Sequence, residues 1–271
     1  WFAGQQESSS GEERKAAKNS VLQFMSALDN YLDTLGYWNE YNRRLKQAIE
    51  AAEAIKDQEE MVRWIQNLGG HSLRRGDITT ARYLYQQGLE ISKELGDKNG
   101  VSKSLYGLGM LAHYTGNYDE AHNLYQQSLK INQEQGDKSV VSMSLHQLGI
   151  LAIDTGDYDA ARRFFQQSLE IKQELDDKIG MASSLNQLGT LAQITDDYDA
   201  ARNFVQQSLE LRKEISDKSG MSKSLHNLGD LVAAAGEYDE ARNYYQQSLE
   251  ICEQLGDKSG VAGLLHQLGN L

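Results

Sequence analysis

The chain has 271 residues, no proline, 24 glycines, one cysteine and a formal net charge of -12. That acidic balance argues against a general binder of nucleic-acid phosphates, which needs a basic face to displace counterions, and a hydrophobic content of 39% is enough for a packed protein. The single cysteine, Cys252, has no internal partner and suits a reducing, cytoplasmic setting, while no apolar run reaches the roughly 18 residues of a membrane span.

Residues 1–20 open with WFAGQQESSSG, small and polar after two aromatics, and read as a linker or frayed end. From there the sequence repeats itself with a period of 40, giving units at 61–100, 101–140, 141–180, 181–220 and 221–260 and a truncated one at 261–271. Leu108, Leu148, Leu188, Leu228 and Leu268 are one position seen five times, each followed by glycine. A period in this range marks a stack of small units, each burying its apolar face on its neighbours. Residues 21–60 are a worn copy: Gly36 keeps register with Gly76 and Gly116, but the Leu-Gly pair is missing and Tyr41 stands where Ala81 and Ala121 stand. A terminal unit has one neighbour rather than two, so this copy reads as a cap.

Each full unit reads as two helices. Val101, Leu105, Leu108, Gly109 and Ala112 form one apolar stripe at helical spacing, and Gly116 ends that helix in the left-handed turn glycine adopts freely. Asn117, Asp157 and Asp197 are N-cap candidates for a second helix carrying Tyr118, Ala121, Tyr125 and Leu129. Gly136 and Gly256 end second helices, and Asp137, Asp177, Asp217 and Asp257 are placed to cap the first helix that follows. Asp196 replaces the turn glycine in one unit, as aspartate tolerates that backbone.

Leu105, Leu108, Gly109, Ala112, Gly116, Tyr118, Ala121, Tyr125 and Ser128 resemble the signature of the tetratricopeptide repeat family, strongly over residues 61–271 and weakly over 21–60. The 40-residue unit, without the family's frequent proline, is similar to the long-helix variety of Pins-type adaptors, kinesin light chains and bacterial and archaeal sensor regions. The resemblance implies an all-α solenoid of antiparallel helix pairs, wound as a right-handed superhelix whose concave wall is lined by first helices. It also implies a protein or peptide ligand, and neither a catalytic centre nor a cofactor.

The copies agree where the stack needs them to and differ elsewhere. The variable outward positions of the first helices hold Tyr106, Met110, His113 and Tyr114, then Ile150 and Ile153, then Ile194. Apolar and aromatic residues on an exposed wall mark a contact surface. Beside them stand His146 and Gln147, Asn186 and Gln187, His226 and Asn227, with Asn67 in the earliest unit. A ladder of amides offers both donors and acceptors to an extended peptide; the alternative is that the amides bridge to the next unit's helix. The position just before Leu-Gly, where Pins-type repeats place peptide-binding asparagines, holds Asn67, Gln147, Gln187, Asn227 and Gln267, and Gly107 interrupts it. Arg63, Arg74 and Lys103 suit acidic groups on a ligand and Asp230 suits basic ones, which leaves the ligand's charge open.

No nucleophile, base and oxyanion set recurs, and the equivalent histidines His146, His226 and His266 stand too far apart to share a metal, since another helix separates successive first helices. Cys252 occupies the place of Ser92, Asn132, Lys172 and Arg212 and reads as an incidental surface thiol. The expected function is therefore a non-enzymatic peptide- or protein-binding module. The alternatives are a sensor arm of a larger signalling ATPase or protease, and a scaffold that self-associates end to end through Leu265 and Leu268 of the unfinished last unit.

Overall fold

The computed structural model describes Trp38–Ala54 and residues 57–271. The linker reading of residues 1–20 and the first half of the cap, including Gly36, lie outside the described residues. Among those described there are twelve α-helices and no strand. They are α1 (Trp38–Ala54), α2 (Gln58–Arg74), α3 (Ile78–Leu95), α4 (Lys98–Tyr114), α5 (Tyr118–Gln135), α6 (Lys138–Asp154), α7 (Tyr158–Glu174), α8 (Lys178–Ile194), α9 (Tyr198–Glu214), α10 (Lys218–Ala234), α11 (Tyr238–Leu255) and α12 (Lys258–Asn270). Even-numbered helices are the first helices of the repeats and odd-numbered ones the second. Connections this short hold successive helices antiparallel. The chain falls into two compact units, one closing at Ser128 and the other opening at Leu129.

Each first helix begins about one turn before the 40-residue boundary, because the capping aspartate sets the start. Asp137 Oδ1 accepts from Val140 N at 3.2 Å, and Asp177 and Asp217 accept from Gly180 N and Gly220 N at 2.9 Å. Asp157 and Asp197 cap second helices in the same way, accepting from Ala160 N and Ala200 N at 3.0 and 3.1 Å. Asn117 donates its amide to Thr115 Oγ1 at 3.3 Å. The turns take the expected left-handed residue at Gly76, Gly116, Gly136, Gly156, Gly236 and Gly256. Asp196 does so with φ 59°, as its place in the repeat requires, and Asp176 (φ 53°) and Ser216 (φ 56°) do the same at the ends of second helices.

The fixed positions are the packing ones. Ala81, Ala121, Ala161, Ala201 and Ala241 are wholly buried. The glycine of each Leu-Gly pair marks a close approach: a Cβ on Gly109 would come within 2.7 Å of the Tyr125 ring, and one on Gly149 within 2.6 Å of the Phe165 ring. In the worn copy, Tyr41 is buried and sets its ring 4.8 Å from that of His71, so the larger side chain fills core volume where the later copies hold alanine.

Polar residues occupy the junctions. Ser168, Ser208 and Ser248 donate to the carbonyls of Ser142, Ala182 and Ser222, each at 2.8 Å. One helical turn further along the second helix lies the position of Ser92, Asn132, Lys172, Arg212 and Cys252, and all five are buried. This corrects the reading of Cys252 as a surface thiol: it is 3% exposed, with Ser222 Oγ 3.0 Å from its sulfur. Lys172 donates to Ser184 Oγ at 3.0 Å, and Arg212 reaches Asp217 Oδ2 at 3.1 Å and Ser208 Oγ at 3.2 Å. Burial pushes both cations' pKa values down, opposed in each case by the capping aspartate, Asp177 or Asp217. Room for these side chains comes from the glycine eight residues on. A Cβ at Gly180 would stand 2.8 Å from Lys172 Cδ, and one at Gly260 would stand 2.7 Å from Cys252 Sγ. Beside Asn132 the glycine gives way to Val140.

Candidate functional site: the outward face of the first helices

Within the unit that closes at Ser128, the candidate residues lie on α2 and α4. Arg63 is exposed, sits 5.9 Å from the Trp64 ring centroid and pairs with Glu60 at 3.6 Å. Arg74 and Lys103 are also exposed, and Asn67 and Met110 are half-buried. Tyr106 is half-buried with its ring 5.7 Å from that of Tyr125, and His113 lies 5.9 Å from Tyr118. Tyr114 is 69% exposed. The gap in the amide ladder has a steric cause: a Cβ at Gly107 would fall on the Tyr85 ring.

Within the unit that opens at Leu129, the candidates lie on α6, α8 and α10. His146 is not a free surface group. Its ring packs 5.4 Å from Phe165, its Nδ1 stands 3.5 Å from Ser184 Oγ, and burial with the nearby Lys172 charge lowers its pKa to about 4. His226 packs 5.8 Å from Tyr245 in the same manner. Ile150 and Ile153 are half-buried against the cluster around Phe165, whereas Ile194 is 41% exposed. Asn227 donates to Asn186 Oδ1 at 3.1 Å, joining α10 to α8. Gln147 and Gln187 are half-buried, and their side chains have no hydrogen-bond partner among the described residues. Asp230 accepts from the Tyr245 hydroxyl at 2.6 Å and lies 3.6 Å from His226 Nε2.

The wall therefore has two rows. The position two before Leu-Gly serves the stack: Gln66 Nε2 bridges to Gly100 O and Ser104 Oγ at 2.8 Å, and Tyr106, His146 and His226 wedge against second-helix rings. The position just before Leu-Gly leaves Gln147 and Gln187 available. Two outward apolar residues were not singled out in the sequence, Met143 on α6 (47% exposed) and Ile179 on α8 (64%). Their signal was present, since both stand at positions where the copies disagree. On α12, Leu265 is 55% exposed as expected, but Leu268 is half-buried against the cluster around Tyr245. No group of three or more His, Cys, Asp or Glu able to hold a metal occurs among the described residues, and no helix among them is long and apolar enough to cross a membrane.

Paired helices stacked through small residues, with a variable outward face on each first helix, define an all-α solenoid scaffold. The chain belongs to the tetratricopeptide repeat family, whose profile matches residues 61–134, 140–214 and 220–271, and the repeats of that family are scaffolds for protein interaction. Among solved structures it is similar to BtubC (BKLC) from P. vanneervenii, at 24% identity over 81% of this chain and 92% of that one, with a TM-score of 0.70. It is also similar to a putative kinesin light chain with nearly identical TPR-like repeats from Podosopora anserina (18% identity, 71% and 95% covered, TM-score 0.58). A third is a Rap protein complexed with competence and sporulation factor (14% identity, 89% and 71% covered, TM-score 0.67). No curated protein sequence matches the chain.

Proposed function

We propose that the chain is a non-enzymatic peptide-binding module whose ligand lies along the outward face of α6, α8 and α10. Gln147 and Gln187 carry this reading: each is half-buried, and its amide donor and acceptor have no hydrogen-bond partner among the described residues. Exposed Ile194 and Ile179 supply apolar contact beside them. His146 acts as a support for the wall rather than as a ligand contact, since its ring is engaged by Phe165 and Ser184.

A displayed random-peptide library panned on the full chain supplies the probe. Selected peptides should lose at least tenfold in affinity on Gln147→Ala/Gln187→Ala and on Ile194→Glu, with helix content and melting unchanged. Equal capture by these variants would remove the wall from the function. The sensor-arm reading has only the shared fold behind it.

A further inference from the structure

We propose that the α10 repeat contains a cation-reading subsite, formed by Asp230 and Asn227, that takes an ammonium or guanidinium group of the peptide ligand. This rests on the reading of the first-helix face as the ligand wall. Asp230 and Asn227 are three residues apart on α10 and share one helical face. Both are half-buried, and the Asp230 side chain is 37% exposed.

Each has one acceptor left over. Asn227 uses its Nδ2 on Asn186 Oδ1 at 3.1 Å, which turns its own carbonyl oxygen outward from that bond. Asp230 receives the Tyr245 hydroxyl on Oδ1 at 2.6 Å, and its Oδ2 has no hydrogen-bond partner among the described residues. His226 Nε2, shielded from solvent and without a hydrogen-bond partner, stands 3.6 Å from that same Oδ1 and so flanks the carboxylate on its engaged side. Two acceptors, one of them on a carboxylate, match a charged donor group, with the second Nδ2 hydrogen of Asn227 the one amide donor beside them.

The obvious rival explanation is that Asp230 exists to satisfy Tyr245. The same fold answers it three units earlier. Tyr125 occupies the equivalent place with its hydroxyl buried and unpartnered, in a repeat whose residue corresponding to Asp230 is Met110. The stack therefore tolerates a tyrosine there without a carboxylate. The counterparts of Asp230 are Gly70, Met110, Ile150, Thr190 and Asn270, none of them charged. Exposed Lys223, two turns before Asp230 on α10, is the opposing charge on this face, and its length lets the ammonium swing clear.

The test uses the full chain, wild type and Asp230→Asn, the variant keeping an oxygen for the Tyr245 hydroxyl. Both are panned against the random-peptide library, and selected peptides are titrated with free and with acetylated N-termini. Wild-type selections should be rich in Lys or Arg, and Asp230→Asn should lose that enrichment and bind the same peptides roughly tenfold or more weakly. Affinity kept after acetylation assigns the cation to a side chain, and affinity lost assigns it to the peptide N-terminus; either agrees with the subsite. Peptides selected without basic preference, and bound equally by Asp230→Asn, would overturn the subsite while leaving the wall intact. Failure of the wild type to select any peptide overturns both.

Discussion

Replacing Gly220 by alanine should destabilise the chain, although alanine is the better helix former. A Cβ at Gly220 would fall on Arg212 Nη1 and against Asp217 Oδ2. Arg212 is 8% exposed, and a guanidinium pushed aside there gives up its 3.1 Å contact to Asp217. Breaking a buried pair costs about 3–5 kcal/mol. The Asp217 side chain is 29% exposed, so water takes over part of its solvation and the cost falls to roughly 2–3 kcal/mol. Alanine returns about 1 kcal/mol of helix propensity, which leaves a net loss of roughly 1–2 kcal/mol. Gly263→Ala is the control, because nothing lies within 4 Å of its Cβ position on α12, and there the substitution should stabilise by about 1 kcal/mol. Urea unfolding followed by far-ultraviolet circular dichroism, with hydrogen exchange on α9 and α10 because repeat arrays open locally, reads both. A Gly220→Ala midpoint equal to or above wild type, alongside a raised Gly263→Ala midpoint, would refute the reasoning.

Acid should weaken the fold through His146. Its folded pKa of about 4 lies below the ordinary 6.5, so its contribution is complete above pH 6.5 and is lost as pH falls toward 4, by an amount of order 3 kcal/mol. His146→Asn should flatten the pH dependence of the urea midpoint in that window, and an unchanged slope would contradict it. Tyr245→Phe should cost about 1 kcal/mol through the lost bond to Asp230, while Tyr125→Phe, which removes an unpartnered buried hydroxyl, should be neutral or stabilising; equal effects in thermal melts would break this contrast. Ser216→Gly relieves a left-handed backbone at φ 56° and should raise stability by about 1 kcal/mol; a lower melting temperature would count against it.

Much of the frame was legible because it is local or periodic. The aspartate caps and the turn glycines are decided within four residues, and the Leu-Gly and alanine positions recur where the stack must be tight. The buried polar junctions were not legible. A lysine, an arginine and an asparagine at one position read as surface, and only the neighbouring helix turns that position inward. A cue did exist, the glycine eight residues later at Gly100, Gly180, Gly220 and Gly260, whose meaning is space for someone else's side chain. The split of the candidate wall into a packing row and an open row was equally hidden. Tyr106, Gln147 and His146 all point outward on a helical projection, and the breadth of Phe165 and Tyr125 decides which of them is pinned.

The unlike residues at the junctions bear on how such an array changes length. A deletion that joins Lys172 to the segment now following Arg212 hands the cation Asp217, Gly220 and Ser224, the same set it has in Asp177, Gly180 and Ser184. A deletion twice as long hands it Asp257, Gly260 and Leu264 instead, and strands its ammonium beside a leucine. Repeats that look interchangeable in the alignment of their copies are thus sorted by their seams, and the seams determine which units can be gained or lost together.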